Sequence, residues 1–335
     1  MPIITQPTRI FDLHCDTLDR LALHSVIPEA GFMAEDAAIP AHRMSSLADN
    51  DAHIDLTRMA RAGYAWCQCF AAFIPDDIGV EGGYRVFGTV RRYFAGQLEQ
   101  HAALVEQVRD ARDIRGIVEA GRCAAMFTVE GGSFIGEDLD RIHEAADAGM
   151  KMLTLTWNDK NAIASGNKTS DGLSFFGRDA VRTLEQRRVA VDVSHLNDRS
   201  FWDVLDAAQR PLAASHSNAR AVCGHPRNLT DDQFRALAER GGIVGLNFCE
   251  RFLTDAGHAT RDDVLRHVDH MLELGGERVV ALGSDYDGCD VPAWLEPAEK
   301  VGTLYDMFAD EFGADIAEAI CFENACAFFE RNEVA

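Results

Sequence analysis

Short runs of apolar, β-favouring residues recur along the chain, and each gap between them is long enough for a helix. Most gaps show apolar positions at helical spacing. This alternation of strand and helix is typical of a parallel sheet. The strand candidates are residues 10–16, 65–73, 123–130, 151–157, 189–195, 211–217, 243–248 and 279–285, and the helical stretches are 84–115, 137–148, 175–188, 198–208, 231–240 and 261–275.

Eight such units in one continuous chain predict a closed (β/α)8 TIM barrel, with residues 1–335 as a single catalytic domain. No linker rich in Pro, Gly or Ser divides the sequence. The alternative is an open doubly wound sheet, but the first strand-to-helix turn carries neither a dinucleotide-binding glycine motif nor a P-loop. Helix boundaries agree with the barrel, since Thr230 can cap a following helix and Gly241 and Gly275 can end helices.

The longest irregular segments follow the first and eighth strand candidates, at about residues 17–62 and 286–300. In a barrel, loops that follow strands lie on the catalytic face. These two segments are therefore expected to form part of a substrate pocket.

Charge and composition limit the partners. The net charge of −22 and a pI near 4.8 would repel nucleic acid and anionic membranes at long range. The amino terminus lacks the basic and apolar regions of a signal peptide, and no apolar run reaches the length of about 18 residues that a membrane span needs. We therefore expect a cytoplasmic protein whose partner is a small molecule, with no nucleic acid and no membrane.

Nine cysteines are present, and most lie in apolar stretches, where a thiol packs as a small hydrophobic group. Cys67 and Cys69 could be taken for a thiolate metal site. The chain has no second cysteine pair at zinc-ribbon spacing, so core packing is the better interpretation.

Residues that can bind metal recur where the predicted strands end. Because the carboxyl ends of barrel strands meet at one mouth, these side chains are expected to converge there. Taken singly, each has an ordinary interpretation, such as a core histidine or an ion-paired carboxylate. Taken together, three histidines and two carboxylates suit Zn²⁺. The residues are His14, Asp16, Glu130, His195 and His216.

Five protein ligands exceed the needs of one tetrahedral ion. Glu130 is therefore expected to bridge two zinc ions, with a hydroxide between them as the nucleophile. Asp285 is the remaining carboxylate at the same mouth and is expected to carry the proton from that water to the leaving amine. Asp287 is a competing candidate, although the chain is expected to turn away near Gly288.

The sequence resembles the membrane dipeptidase, or renal dipeptidase, family of the amidohydrolase superfamily. The resemblance rests on FDLHCDTLDRL, VEGGSF, GMKMLTLTWN, VDVSHL, SHSNARAVCGHPRNLTDD and LGSDYDG, which run in the family's order from residue 11 to residue 288. It implies a zinc-dependent dipeptidase that cleaves small dipeptides, including those with a D-residue at the C-terminal position. It also implies a homodimer. By this likeness His14 and Asp16 bind one zinc, His195 and His216 bind the other, and Glu130 bridges them.

The resemblance also assigns substrate contacts. Arg227, within HPRN, would hold the C-terminal carboxylate of the dipeptide. The chain departs from the family at two positions. Trp157 stands where the family has a histidine that contacts the substrate carbonyl, and Phe252 stands where the renal enzyme has a tyrosine. An indole can donate one hydrogen bond but cannot act as an imidazole.

Two other functions remain open at this point. Trp157 is compatible with a related hydrolase that cleaves another C–N bond, such as that of a cyclic amide or an N-acyl amino acid. A catalytically silent metal- or peptide-binding barrel is the second alternative, because a fold does not guarantee activity. Retention of all five ligand residues together with Asp285 argues against a catalytically silent protein.

Overall fold

Eight parallel strands close into a barrel in the computed structural model, which describes residues 7–26 and 41–334. The ring is closed by pairing of the second strand with the fourth, and of the first with the ninth. The third strand pairs with the fourth outside this ring. The strands are β1 Arg9–Cys15, β2 Ala65–Phe73, β3 Val105–Gln107, β4 Cys123–Glu130, β5 Met150–Thr154, β6 Ala190–Asp192, β7 Ala213–Ala214, β8 Ile243–Leu246 and β9 Val280–Leu282.

Helices follow the strands and cover the outside of the barrel. Buried apolar side chains of the helices pack against outward-facing strand residues and form the larger of two hydrophobic clusters. The helices are α1 Thr17–Val26, α2 Leu56–Ala62, α3 Gly79–Gln100, α4 Ile114–Glu119, α5 Asp140–Asp147, α6 Phe175–Gln186, α7 Asp198–Ala207, α8 Asp231–Glu239, α9 Glu250–Leu253, α10 Arg261–Glu273, α11 Gly302–Phe312, α12 Ala314–Glu318 and α13 Asn324–Val334.

The predicted TIM barrel is confirmed, and each strand candidate overlaps one barrel strand. Several strands are shorter than predicted, because β6, β7 and β9 end two or three residues before the polar residues that the sequence placed at their tips. The predicted helix over 84–115 is wrong between Gln100, where α3 ends, and Ile114, where α4 begins. Val105 pairs with Cys123 and begins β3, so pairing with the sheet overrides the local helical pattern. Within the predicted loop 17–62, α1 and α2 are helical, and residues 27–40 lie outside the described part.

The predicted helix boundaries hold in detail. Thr230 accepts a hydrogen bond from the Gln233 backbone N–H while the Gln233 side chain accepts one from the Thr230 N–H, forming a capping box. Gly241 and Gly275 follow α8 and α10 with φ of +69° and +91°, which glycine adopts without steric cost.

A second hydrophobic cluster fills the barrel interior below the polar mouth. Cys67 and Cys69 are both fully buried there, which agrees with packing rather than metal binding. The C-terminal helix α13 belongs to this cluster, and its Phe329 stacks on Phe11 of β1 with ring centroids 5.7 Å apart. The amino-terminal end of the barrel is thus closed by aromatic packing, and the opposite end carries the polar residues.

Candidate metal centre

The five candidate ligands meet at the carboxyl-terminal mouth of the barrel, and the Glu130 carboxylate lies among them. Its Oε2 is 3.4 Å from His14 Nε2, and its Oε1 is 2.8 Å from His195 Nε2 and 3.6 Å from His216 Nε2. Asp16 Oδ2 is 3.5 Å from His14 Nε2. One oxygen of the Glu130 carboxylate thus faces His14 and the other faces His195 and His216, while the rings of His14 and His216 stack with centroids 4.0 Å apart.

Two overlapping groups of side chains offer metal-binding atoms within 4.8 Å of one another. One group is His14, Glu130 and His216, and the other is His14, Asp16 and Asp285. All members are buried. The structure therefore brings Asp285 to the same centre as the predicted ligands.

The contacts of Nδ1 in His195 and His216 indicate which ring nitrogen is free to bind a cation. His195 Nδ1 lies 3.2 Å from Asn158 Oδ1, an amide oxygen that can only accept. His216 Nδ1 lies 2.7 Å from Ser215 Oγ, whose own hydrogen is donated to Asp192 Oδ2 at 2.5 Å. These contacts favour the tautomer of each imidazole that carries hydrogen on Nδ1 and presents a bare Nε2 to the centre.

These two bare Nε2 atoms of His195 and His216 lie only 2.9 Å apart, and Glu130 Oε1 lies 2.8 Å from the first of them. Three acceptor atoms with lone pairs at such distances repel one another unless a proton or a metal cation lies between them. Burial, reinforced by the charges of Arg227 and His14, lowers the pKa of His195 well below its usual value, so a proton on this ring is disfavoured. The donor set therefore fits a divalent cation.

The pKa shifts of the other charged groups at the centre also favour a bound cation. Burial raises the pKa of Glu130 to about 7 and also raises the pKa of Asp16, because a desolvated carboxylate is costly without a cation. Burial opposes protonation of His14, but the Glu130 and Asp16 carboxylates outweigh it and raise the pKa of His14 well above its usual value. His14 Nε2 and Asp16 Oδ1 are buried without a hydrogen-bond partner. A bound cation would satisfy both atoms.

Backbone strain is concentrated at the same place. His195 and Asp285 adopt left-handed φ of +69° and +62°, which L-residues seldom adopt outside functional sites. The Asn167 backbone N–H donates to His195 O at 2.8 Å, and the Asp285 N–H donates to His14 O at 3.1 Å. These bonds hold the chain in turns that aim both side chains into the centre.

Two buried carboxylates that the sequence reasoning missed organise the backbone beneath the ligands. Asp12 accepts from the backbone N–H groups of His14 and Ser284 and from the Ser284 hydroxyl. Asp192 accepts from Ser194 N–H and from both the N–H and the hydroxyl of Ser215. In the sequence, these two residues could have been recognised because each is an aspartate that lies in an apolar strand two or three residues before a histidine.

Arg227 lies beside the centre as a buried cation with an incomplete set of partners. It is 6% exposed, and its Nη2 donates to His216 O at 3.3 Å. Its Nε is buried without a hydrogen-bond partner, and burial lowers the pKa of its guanidinium. An anionic ligand would complete the donor set.

The two aromatic candidates lie close to these polar groups. Trp157 is partly buried, with its ring edge-on to Phe73 at 5.1 Å and 6.4 Å from the His195 ring. Phe252 is partly buried and lies under the guanidinium of Arg227, 5.5 Å from its ring centroid. Trp157 thus lies near the ligand imidazole of His195, and Phe252 lies against Arg227.

The two candidate proton carriers differ in their surroundings. Asp285 Oδ2 accepts from Asn247 Nδ2 at 2.9 Å, and Oδ1 lies 3.9 Å from His14 Nε2. Asp287 is instead bound by Arg20, by the Thr17 hydroxyl and by the His53 backbone N–H. Although burial opposes it, these partners lower the pKa of Asp287. Asp287 is therefore held as a structural carboxylate, and Asp285 is the one that faces the centre.

Comparison with known proteins identifies the family of this chain. The family model of the membrane dipeptidases, peptidase family M19, matches residues 2–333. An uncharacterized protein in the pqqA 5' region of Klebsiella pneumoniae is 38% identical over 195 residues, which are 54% of this chain and 72% of that protein. In the described ranges, no helix is long and apolar enough to cross a membrane.

Two solved structures share nearly the whole fold. A metallopeptidase from Rhodobacter sphaeroides, liganded with a phosphinate mimic of the dipeptide L-Ala-D-Ala, is 27% identical with a TM-score of 0.86, covering 97% of this chain and 99% of its own. The dipeptidase AC, a metallopeptidase of family M19, is 29% identical with a TM-score of 0.87, covering 99% of this chain and 100% of its own.

Proposed function

Because the chain belongs to the membrane dipeptidase family of metallopeptidases, we propose that it hydrolyses the peptide bond of small dipeptides with the aid of two zinc ions. The observation that carries the proposal is the convergence of the bare Nε2 atoms of His195 and His216 on the Glu130 carboxylate. His14 Nε2 lies 3.4 Å from the other oxygen of the same carboxylate, and Asp16 lies beside His14.

The donor types favour zinc as the metal. Imidazole nitrogens and carboxylate oxygens are the mixed ligand set that Zn²⁺ accepts. We assign one ion to His14 and Asp16 and the other to His195 and His216, with Glu130 shared. When bound, a metal pair of this kind activates water and polarises the scissile carbonyl group.

Asp285 moves the proton in this mechanism. Its Oδ2 is held by Asn247, which leaves Oδ1 directed toward the ligand cluster near His14. From there the carboxylate can accept the proton released as water attacks the carbonyl carbon. It then delivers that proton to the nitrogen of the departing amine.

Arg227 holds the free carboxylate of the substrate. Its partnerless Nε lies in a buried setting where a charge-assisted hydrogen bond is strong. Binding there would hold the C-terminal end of a dipeptide beside the metal ligand His216, whose backbone oxygen accepts from Arg227.

Substrates with a D-residue at the C-terminal position belong to the proposal, since the Rhodobacter sphaeroides relative is liganded with a mimic of L-Ala-D-Ala. Trp157 and Phe252 would line the pocket on either side of the substrate. Trp157 also favours one alternative, hydrolysis of another C–N bond as in an N-acyl amino acid or a cyclic amide, because the chain has an indole where the family has an imidazole.

Metal analysis and a substrate panel test the proposal together. Zinc-replete wild-type protein should hold two ions per chain, and Glu130→Ala should hold fewer. The panel should contain L,L- and L,D-dipeptides, N-acyl amino acids and cyclic amides, assayed before and after zinc is restored. Full activity with no more than one ion would overturn the two-metal mechanism, and turnover confined to N-acyl or cyclic substrates would support the alternative.

A further inference from the structure

We propose that Ser215 and Asp192 form a positioning pair that fixes the tautomer and ring direction of His216, and so controls the affinity of one of the two metal positions. The inference rests on the proposed metal centre and adds to it two residues that touch neither metal nor substrate. The three side chains form a continuous chain of hydrogen bonds from a buried carboxylate to a metal ligand.

The direction of each hydrogen bond follows from what the atoms can do. Asp192 accepts from four donors, which are the N–H groups of Ser194 and Ser215 and the hydroxyls of Thr154 and Ser215. The Ser215 hydroxyl hydrogen therefore points to Asp192, at 2.5 Å.

With its hydrogen committed, the Ser215 oxygen can only accept from the histidine. Its distance of 2.7 Å from His216 Nδ1 fits a hydrogen bond in which the ring donates. This bond places the hydrogen of His216 on Nδ1 and leaves Nε2 bare for a metal. The carboxylate also makes the oxygen a better acceptor and, through it, the imidazole a stronger ligand.

The pair is held rigidly by its surroundings. Asp192 and Ser215 are both completely buried. A Cβ atom on either Gly245 or Gly283 would overlap the Ser215 carbonyl oxygen, so the backbone of β8 and that of the residue after β9 pack directly against it. Ser215 thus has little freedom to turn its hydroxyl elsewhere.

Ser284 and Asp12 form a similar pair near His14. This pair provides a matched control, because its serine does not contact the imidazole of a metal ligand. Ser284 is completely buried and donates its hydroxyl to Asp12 Oδ2 at 2.6 Å. That hydroxyl also lies 3.0 Å from His14 O, which is a backbone atom. Ser284 therefore shares the burial and the carboxylate partner of Ser215 but does not touch the ligand imidazole.

The test compares Ser215→Ala with Ser284→Ala. Zinc affinity is measured by competition with a chelator, and the Co²⁺-substituted proteins are compared by their visible absorption spectra. In Ser215→Ala, one ion should bind 10- to 100-fold more weakly and the Co²⁺ spectrum should change, while the second ion binds as in the wild type. Ser284→Ala should lower thermal stability to a similar degree and weaken metal binding less than Ser215→Ala does, because Ser284 contacts only the backbone of His14.

Equal metal affinities and equal Co²⁺ spectra in the two variants would overturn the inference. If Ser215→Ala does not fold, Ser215→Cys takes its place, since a thiol fills the space but is a weak acceptor. A wild-type protein that holds only one ion contradicts the proposed two-zinc function, and the affinity ratio of the two variants still decides the role of Ser215.

Discussion

Gly288 lies so close to Asp16 that a Cβ atom at position 288 would overlap the Asp16 carboxylate. The same atom would lie 2.6 Å from Asp285 Oδ1. Real Cβ atoms do not approach oxygen this closely, so any side chain at 288 must displace one or both carboxylates. The glycine therefore forms one wall of the proposed metal site.

Gly288→Ala is expected to lose metal and activity together. The methyl group pushes Asp16 away from His14, and a displacement of about 1 Å in a positioned group can cost on the order of a hundredfold in rate. Elemental analysis and kcat on one dipeptide measure both effects. Gly96→Ala is the control, because a Cβ at Gly96, within α3, has open space around it. Normal metal content and kcat in Gly288→Ala would contradict the proposed position of Asp16.

The sequence predicted the barrel because each strand is a short apolar run with a polar residue just beyond it. It did not predict β3, since Val105–Gln107 is short and gains its structure from pairing with β4. The helices from Gly302 onward were missed for a related reason: no strand follows them to mark a further strand–helix unit.

The candidate site was predictable in its ligands but not in its supporting residues. His195 and His216 stand out as polar residues after apolar runs. The parts played by Ser215, Asn158 and Asp192 depend on hydrogen-bond direction between separate strands and loops, which the order of residues does not show. Arg227 could be assigned only through family resemblance.

The metal-free protein should become less stable as pH rises, because of Glu130. Its pKa is raised from the usual 4.5 to about 7, so its contribution is fully present below pH 4.5 and is lost as pH rises through about 7. The raised pKa of His14 acts in the same direction. Each proton involved can change the slope of the unfolding free energy against pH by up to about 1.4 kcal/mol per pH unit.

Denaturant unfolding of metal-free wild type and Glu130→Gln between pH 5 and pH 8 measures this effect. The variant has no carboxylate to ionise and places less negative charge beside His14, so its stability should decline less over this range. Bound metal should reverse the trend, since deprotonated ligands bind metal more strongly. Parallel pH profiles for the two metal-free proteins would show that Glu130 does not titrate in this window.

Arg227→Met should abolish discrimination between a free and an amidated C-terminus. In the wild type, amidation removes the charge that pairs with the buried guanidinium, and kcat/KM should fall on the order of a hundredfold. In Arg227→Met the same change of substrate should have little effect. Arg251→Met is the control, because Arg251 lies 5.8 Å from the same Phe252 ring and is exposed. Equal losses on amidation in Arg227→Met and the wild type would remove Arg227 from carboxylate recognition.

Trp157 should shape the substrate pocket without supplying an acid or a base, because indole does not titrate in the working pH range. Trp157→Ala removes its packing against Phe73 and should alter the order of preference within the substrate panel. Trp157→His should improve turnover of ordinary dipeptides by restoring the residue typical of the family. If Trp157→Ala keeps the full substrate profile, Trp157 only fills space.

Asp285→Asn should lose kcat while it keeps its metal and its affinity for substrate. The amide preserves the shape of the side chain and can still face Asn247, but it cannot carry a proton from water to the leaving amine. Loss of general acid–base help lowers kcat by roughly 10² to 10⁴. The strained φ of +62° at this position is tolerated by asparagine as well as by aspartate, so the fold should persist.

Asp287→Asn distinguishes the proton transfer proposed for Asp285 from the structural role of Asp287. Asp287 binds Arg20 and the Thr17 hydroxyl, and loss of a buried charge partner typically destabilises a protein by about 3 to 5 kcal/mol. Thermal unfolding should therefore shift in Asp287→Asn, while Asp285→Asn unfolds near the wild-type temperature with a collapsed kcat. Near-normal kcat in Asp285→Asn would mean that the proton travels by another route. A greater loss of kcat in Asp287→Asn, at unchanged stability, would transfer the assignment to Asp287.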